Sequence, residues 1–237
     1  MRIATLPGVF QPISDTWLLA GALRDRAPGA SVLDVCTGSG ALAVTAALAG
    51  AREVTAVDVS RRAVLTARLN ARLNGVAVRP RRSDLFSTLA DERFDVIVSN
   101  PPYVPDPSGD RLPTRGPQRA WDAGRDGRIV LDRLIAEAPR HLRPGGTLLV
   151  VHSEICGIDV TLEALRAAGL LPQVVTRHHG PLGPLMRDRV EHLRQRGALT
   201  PGQTEEEVAV IAGALPSAGR RADARFAPAR EPRPVSR

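Results

Sequence analysis

The sequence predicts an α/β fold, a mostly parallel sheet with helices on both faces, and three observations carry that reading. Strand-like and helix-like apolar segments alternate from residue 31 to about residue 176, as successive β-α-β units require. A glycine-bearing turn, Cys36-Thr37-Gly38-Ser39-Gly40, joins the first strand to the helix that follows it. The run Phe94-Asp95-Val96-Ile97-Val98-Ser99 has an unbroken apolar centre, which suits a central strand covered on both sides.

Taken in order, Ser31 to Val35 reads as the first strand and the Ala-rich stretch Ala41 to Leu48 as a helix. Glu53 to Asp58 is the second strand. From Ser60 to Leu73, Val64, Leu65, Leu69 and Leu73 recur at helical spacing, with Ser60 as N-cap and Asn74-Gly75 as the stop. Val76 to Arg82 is a third strand, polar enough to lie toward an edge. Phe94 to Ser99 is the fourth. Pro105 to Gln118 holds four prolines and two glycines, a loop too long to be merely connective. Gly127 to Leu142 is helical, with Pro139 marking a kink or an early end. Pro144-Gly145-Gly146 turns into a fifth strand, Thr147 to Val151; Asp159 to Ala168 is a helix and Leu171 to Thr176 a sixth strand. Leu185 to Arg196 reads as a helix and Glu207 to Ala212 as a last strand.

At 237 residues one α/β core is the expectation. Residues 1–30 read as an N-terminal entry segment and helix, residues 31–214 as the main domain, and residues 215–237 as an Arg-, Pro- and Ala-rich tail expected to be disordered. No apolar run approaches the roughly 18 residues of a membrane span, and the start lacks a signal-peptide core, so a cytoplasmic protein without membrane attachment is expected. Cys36 and Cys156 make no disulfide framework, and no metal is expected. All 32 basic residues are Arg. Of the formal charge of +7, the last 21 residues carry +4, leaving +3 for residues 1–216, a poor footprint for nucleic acid.

The chemistry concentrates where predicted strands end. Gly38, Gly40 and Ala43 satisfy a dinucleotide-type glycine pattern, and Asp58 ends the second strand as an acceptor for two vicinal hydroxyls. That much suits a nicotinamide dinucleotide and S-adenosylmethionine alike. Asp34, placed before the turn, is unfavourable to a pyrophosphate but suits a cationic amino-acid portion, directly or through water. Asp84 follows the third strand and is placed to accept from an adenine amino group, with Leu85 and Phe86 covering the ring. After the fourth strand stands Asn100-Pro101-Pro102-Tyr103. An Asn side-chain carbonyl and a proline carbonyl on a rigid backbone form an acceptor pair for a planar NH2 group, whose nitrogen is otherwise a weak nucleophile. Tyr103 is then placed to pack on the substrate plane.

These segments, Val32 to Ala43, Ala56 to Ser60, Ser83 to Phe86, Ser99 to Pro105 and Trp121 to Gly127, make the chain resemble the class I S-adenosylmethionine-dependent methyltransferases. Within them it is similar to the HemK-type family that methylates the glutamine of the Gly-Gly-Gln loop of peptide chain release factors. The resemblance runs from about Gly8 to Thr176 and more weakly to about Ala214. It implies a Rossmann-like seven-stranded sheet, with S-adenosylmethionine held by Asp15, Thr16, Asp34, Cys36, Thr37, Gly38, Gly40, Asp58, Val59, Asp84, Leu85 and Asn100. The catalytic set it implies is Asn100, Pro101, Pro102 and Tyr103. The start, Val9 to Leu19, looks like that of the short members, which lack an amino-terminal helical domain and in some cases need a small activating subunit. Asp15 and Thr16 would lie over the cofactor, and both also read as N-cap residues for a helix from Trp17 to Arg24. Cys36 stands where many relatives have glycine, which is tolerated at negative φ.

The rivals to a glutamine target are an exocyclic amine in DNA or RNA and a small-molecule amine; a non-catalytic binding module and a nicotinamide enzyme are the remaining readings. Few aromatics and no basic groove with stacking residues speak against nucleic acid. His152 and Ser153 point to opposite strand faces and promise no triad; His178 and His179 read as a solvated loop, Trp121 as a loop anchor and Cys156 as a small buried hydrophobe.

Overall fold

The computed structural model describes residues 1–107, 109, 111–114 and 116–217. The disorder expected of the tail falls, from residue 218 on, outside the described residues. Seven helices, α1 (Ser14–Arg24), α2 (Ala41–Leu48), α3 (Arg61–Leu73), α4 (Ile129–His141), α5 (Ile158–Ala167), α6 (Pro184–Arg187) and α7 (Val190–Gln195), accompany seven strands among the described residues. The strands are β1 (Ser31–Val35), β2 (Glu53–Asp58), β3 (Arg79–Arg82), β4 (Phe94–Ser99), β5 (Leu142–Ser153), β6 (Leu171–Pro181) and β7 (Glu205–Ala214). They form one sheet in the order β3-β2-β1-β4-β5-β7-β6. β1 pairs in parallel with β2 and β4, β2 with β3, and β4 with β5; β7 is antiparallel to both β5 and β6. The chain turns back at β1, so the crevice between the carboxyl ends of β1 and β4 is a topological switch point, where open α/β sheets bind ligands. Among the described residues no helix is long and apolar enough to cross a membrane.

The pleat sends alternate residues of each central strand to opposite cores. Leu33, Val35, Ile97, Leu148 and Val150 meet Leu131, Leu134 and Ile135 of α4 and Leu165 of α5. Val32, Val96, Val98, Leu149 and Val151 meet Leu19 and Leu23 of α1 and Leu42, Ala43 and Ala46 of α2. A smaller cluster, Val104, Leu182, Met186, Leu193 and Leu199, packs with Tyr103 and Trp121 at the carboxyl edge.

Several boundaries move. The third strand starts at Arg79 rather than Val76, because the α3 terminus continues into a wrap in which Val76 N–H donates to the Ala71 carbonyl at 3.0 Å. β6 runs on to Pro181 and takes in His178 and His179, read from sequence as loop; both stay exposed, and His179 Nε2 lies 2.8 Å from Glu207 Oε2. That extension is made by pairing with β7, a partner some thirty residues away that local pattern does not reveal. Helix α1 begins at Ser14 behind Ile13, which offers no side-chain cap, so Asp15 and Thr16 are first-turn residues rather than the N-cap. Ser60 does cap α3, its hydroxyl accepting from Ala63 N–H at 3.4 Å.

Gly40 sits at φ +80, and a Cβ there would lie 2.8 Å from both Cα and Cβ of Ala67 on α3. Gly40→Ala is therefore expected to cost at least about 2 kcal/mol. Gly50→Ala, at φ +89 with open space around it, carries only the conformational part, about 1 kcal/mol. Urea unfolding of the two variants checks this; equal losses would mean that α3 does not press on the turn.

Candidate functional site

One cavity of about 900 Å³ opens at the carboxyl ends of β1 to β4. The turn after β1 supplies Cys36, Thr37 and Gly38, the end of β2 Asp58 and Val59, the segment after β3 Asp84 and Leu85, and that after β4 Asn100 and Pro102. Thr16 enters from α1. Of the residues predicted from sequence, these ten line the cavity. Asp15, Asp34, Gly40, Pro101 and Tyr103 stand outside its wall.

Asp34 shows why. It is fully buried within β1, and its Oδ2 accepts from the Thr37 hydroxyl and, at 3.0 Å, from Ala43 N–H. It thus ties both arms of the turn from behind, while its Oδ1 has no partner. Burial pushes this carboxyl up from its ordinary 3.8 to about 7, against the two hydrogen bonds; the neighbouring Asp58 charge pushes the same way. Asp58 Oδ2 accepts from Gly38 N–H at 2.9 Å and its Oδ1 from Ser60 N–H at 2.8 Å. It pins the cavity side of the same turn, and burial raises its pKa too. Cys36 adopts φ +59, not the negative φ expected for a residue other than glycine. The cost, about 1 kcal/mol, is met by the bonds on either side of it. Burial and the Asp58 charge hold its thiol above the usual range, hence protonated.

The Asn-Pro-Pro-Tyr segment is held by α1. Asn100 Nδ2 donates to Thr16 Oγ1 at 3.1 Å, and the Tyr103 hydroxyl donates to Asp15 Oδ2. Asp15 and Thr16 are both buried, so this is an inner seam between helix and loop. The Tyr103 ring lies in the small edge cluster rather than in the cavity, and its carbonyl accepts from Cys156 Sγ at 3.0 Å. Burial, then the Asp15 charge, raise the Tyr103 phenol well above its ordinary range. Cys156 is thus buried as expected, but with a bonding role.

The loop supplies more wall than the sequence reading assigned: Leu112, Pro113, Gly116, Pro117, Arg119 and Asp122. Arg189, just before α7, fixes it by donating to Asp122 Oδ1 and to the Pro105 carbonyl, each at 2.5 Å. Val9, Phe10 and Pro12, not assigned to the site individually from sequence, form another part. Asp84 is exposed on the rim, 3.2 Å from Arg133. Phe86, expected over a ring, instead stacks on His141 in the core, centroids 4.6 Å apart. His152 is buried with Nδ1 2.9 Å from the Ser153 carbonyl, and burial lowers its pKa to about 4. It is a neutral core imidazole.

Asp34 sets a pH dependence. Its pKa is higher folded than unfolded, so its stabilising contribution is full below about pH 4 and is lost as pH rises through about 7. Asn at this position does not titrate. The stability of the wild type relative to Asp34→Asn is expected to fall between about pH 4 and about pH 7, read from urea unfolding at each pH; parallel curves would assign the proton elsewhere.

Comparison with known proteins bears on this cavity. A family model described as methyltransferase small domain matches residues 1–110. A chain of Methanocaldococcus jannaschii, assigned as a protein N5-glutamine methyltransferase, is 34% identical over 186 residues, 78% of this chain and 93% of that one. The release factor glutamine methyltransferase of Geobacter sulfurreducens is 39% identical over 151 residues, 61% of this chain and 53% of its own. The ribosomal protein uL3 glutamine methyltransferase of Bradyrhizobium diazoefficiens is 42% identical over 137 residues, 55% of this chain and 43% of its own. This chain thus spans about half the length of these two bacterial relatives. Among solved structures, the E. cuniculi Mtq2–Trm112 complex, responsible for methylation of the eRF1 termination factor, matches with TM-score 0.58 at 24% identity, over 88% of this chain and 99% of that one. The T. thermophilus 16S rRNA methyltransferase RsmC matches with TM-score 0.61 at 22% identity, over 90% of this chain and 47% of that one. Those two likenesses show the fold alone. With nearly the whole archaeal relative matched at 34% identity, and a cavity open at the switch point of the sheet, the chain belongs to the protein glutamine methyltransferase family.

Proposed function

We propose that this chain transfers a methyl group from S-adenosylmethionine to the side-chain amide nitrogen of a glutamine, in the Gly-Gly-Gln loop of a peptide chain release factor. One observation carries the amide reading. Asn100 commits its nitrogen to Thr16 Oγ1, so its carbonyl oxygen is the atom left to accept from a substrate N–H. The Pro101 carbonyl, on a backbone with no N–H of its own to satisfy, is the second acceptor. Drawing on both protons of a planar NH2 localises the nitrogen lone pair and stabilises the positive charge that develops on it. No strong base is required, because the proton of the alkylated amide is acidic enough to leave to water.

The cavity fits the cofactor. Its volume, about 900 Å³, is within the range of small-molecule sites, and the turn at Gly38 brings backbone rather than side chain to the wall. Asp58 retains lone pairs for a ribose diol, Val59 and Leu85 offer apolar faces, and Asp84 suits an adenine amino group. Thr37 and the turn held by Asp34 would face the amino-acid portion. When bound, S-adenosylmethionine supplies an electrophilic methyl on a sulfonium. The protein's part is orientation: Asn100 lies both on the cavity and on the α1 seam, so target and donor meet at one residue.

The substrate assay offers release factor and uL3 from the same organism, with labelled S-adenosylmethionine, and maps the modified residue by mass spectrometry. It is run with and without a small activating subunit, as the Mtq2–Trm112 complex suggests. Label on the release factor glutamine is expected; label on uL3 alone would change the substrate, and label on RNA or DNA would overturn the protein reading. Asn100→Ala is expected to lower kcat by at least about 100-fold. Thr16→Val frees the Asn100 amide and is expected to lower kcat about tenfold, with Thr16→Ser recovering most of it. An unchanged kcat in Thr16→Val would mean that the seam does not orient Asn100.

A further inference from the structure

Residues 1–12 form neither helix nor strand, yet their backbone is bonded with the regularity of a ladder. Asn70 of α3 is fully buried; its Oδ1 accepts from Ala4 N–H and its Nδ2 donates to the Ala4 carbonyl, each at 2.8 Å. The second Nδ2 proton goes to the Ser39 carbonyl in the glycine turn, also at 2.8 Å. One turn on, Asn74 Oδ1 accepts from Arg2 N–H at 2.7 Å, and its Nδ2 donates to the Arg2 carbonyl at 2.6 Å and to the Asn70 carbonyl at 2.7 Å. Residues i and i+4 of a helix rise about 6 Å, and alternate residues of an extended chain lie about 6.6 Å apart. Two asparagines at this spacing therefore present their amides as a neighbouring strand would, and the N-terminal segment docks on a helix as though on a sheet edge.

The segment then runs toward the cavity. Arg62, at the start of α3, donates to the Pro7 carbonyl at 3.1 Å. A turn follows, closed by Val9 N–H to the Leu6 carbonyl at 3.1 Å with Gly8 at φ +81. Pro7, Gly8, Val9, Phe10 and Pro12 line the cavity, and α1 begins at Ser14. The segment is thus a strap, anchored on α3 at one end and on α1 at the other, whose middle is cavity wall. Neither Asn70 nor Asn74 lines the cavity.

We propose that Asn70 and Asn74 are positioning residues for cofactor binding, a clamp that seats the strap over the cavity and sets how fast the ligand enters and leaves. The ligand's identity rests on the cofactor reading above; the clamp itself does not. Asn70 bonds both the strap and the Ser39 carbonyl, so it couples wall and turn, whereas Asn74 touches the strap without touching the turn. Asn74 variants therefore test the strap alone.

The experiment uses the full chain with Asn70→Ala, Asn74→Ala and Asn74→Asp, the last keeping an acceptor for Arg2 N–H while removing both donors. Hydrogen exchange by mass spectrometry, without ligand, reports residues 2–10; stopped-flow dissociation reports S-adenosylmethionine. Exchange is expected to rise in the strap and not in β1 or β4. Cofactor dissociation is expected to be about tenfold faster in Asn74→Ala and intermediate in Asn74→Asp. In turnover, KM for S-adenosylmethionine is expected to rise while kcat holds. Strap exchange equal to wild type, or looser exchange with unchanged dissociation, would overturn the proposal. If Asn70→Ala fails to fold, Asn74→Ala decides alone. A wild type that binds no S-adenosylmethionine would sink the cofactor reading and the gating of that ligand with it, while the exchange comparison would still decide whether the asparagines hold the strap.

Discussion

A buried carboxylate near the carboxyl end of β1 is the constraint on which the site depends. The turn that leaves β1 must bring bare backbone up to a ligand, and such a turn has few atoms with which to hold itself. Asp34 supplies them from behind through Thr37 and Ala43, and Asp58 supplies them from the cavity side through Gly38 and Ser60. Between these two carboxylates Cys36 is kept at a positive φ that an isolated Cys would avoid. The low dielectric that makes the Asp34 bonds strong also makes its charge costly, which is why its pKa lies near neutrality.

The second requirement, a rigid Asn-Pro-Pro-Tyr segment, is met from several directions. Thr16 and Asp15 hold Asn100 and Tyr103 on one side. Beyond Tyr103, Val104 bridges to Asp122, with N–H to carbonyl bonds of 2.8 Å to Trp121 and 3.0 Å from Ala123. Gly127 lets the next segment approach so closely that a Cβ there would lie 2.2 Å from the Tyr103 carbonyl oxygen. The ends of the loop are therefore held together by the Val104–Asp122 bridge and by Arg189.

Both signs of charge line the cavity, Asp58, Asp84 and Asp122 beside Arg61, Arg62, Arg82, Arg119 and Arg133. The chain carries +7 overall, yet Asp34, Asp58 and Asp84 gather at the ends of successive strands, with Asp15 and Glu206 buried nearby. Burial raises Asp34, Asp58 and Glu206, and of these three Asp58 alone lines the cavity.

Sheet class, the β1 turn and the strand ends were legible in the sequence because they are local. A continuous apolar run marks β4 and shorter, interrupted ones mark β1 and β2, glycines mark the turn, and prolines mark the stop after Ser99. What only the tertiary structure decided depends on partners distant in the chain. The extension of β6 to Pro181 needs β7. The position of Tyr103 in an edge cluster rather than over the cavity needs α6 and α7, whose short apolar pattern is weak. Phe86 turned to His141 because the segment after β3 packs on the end of α4, where His141 Nδ1 also lies 3.0 Å from the Glu92 carbonyl oxygen. Asn70 and Asn74, unremarkable in sequence as a helix position and a helix stop, acquire their role through hydrogen bonds to residues 66 and 72 positions away. Periodicity records which face of an element is apolar; it does not record which backbone a polar side chain will meet, and that is settled when the elements pack.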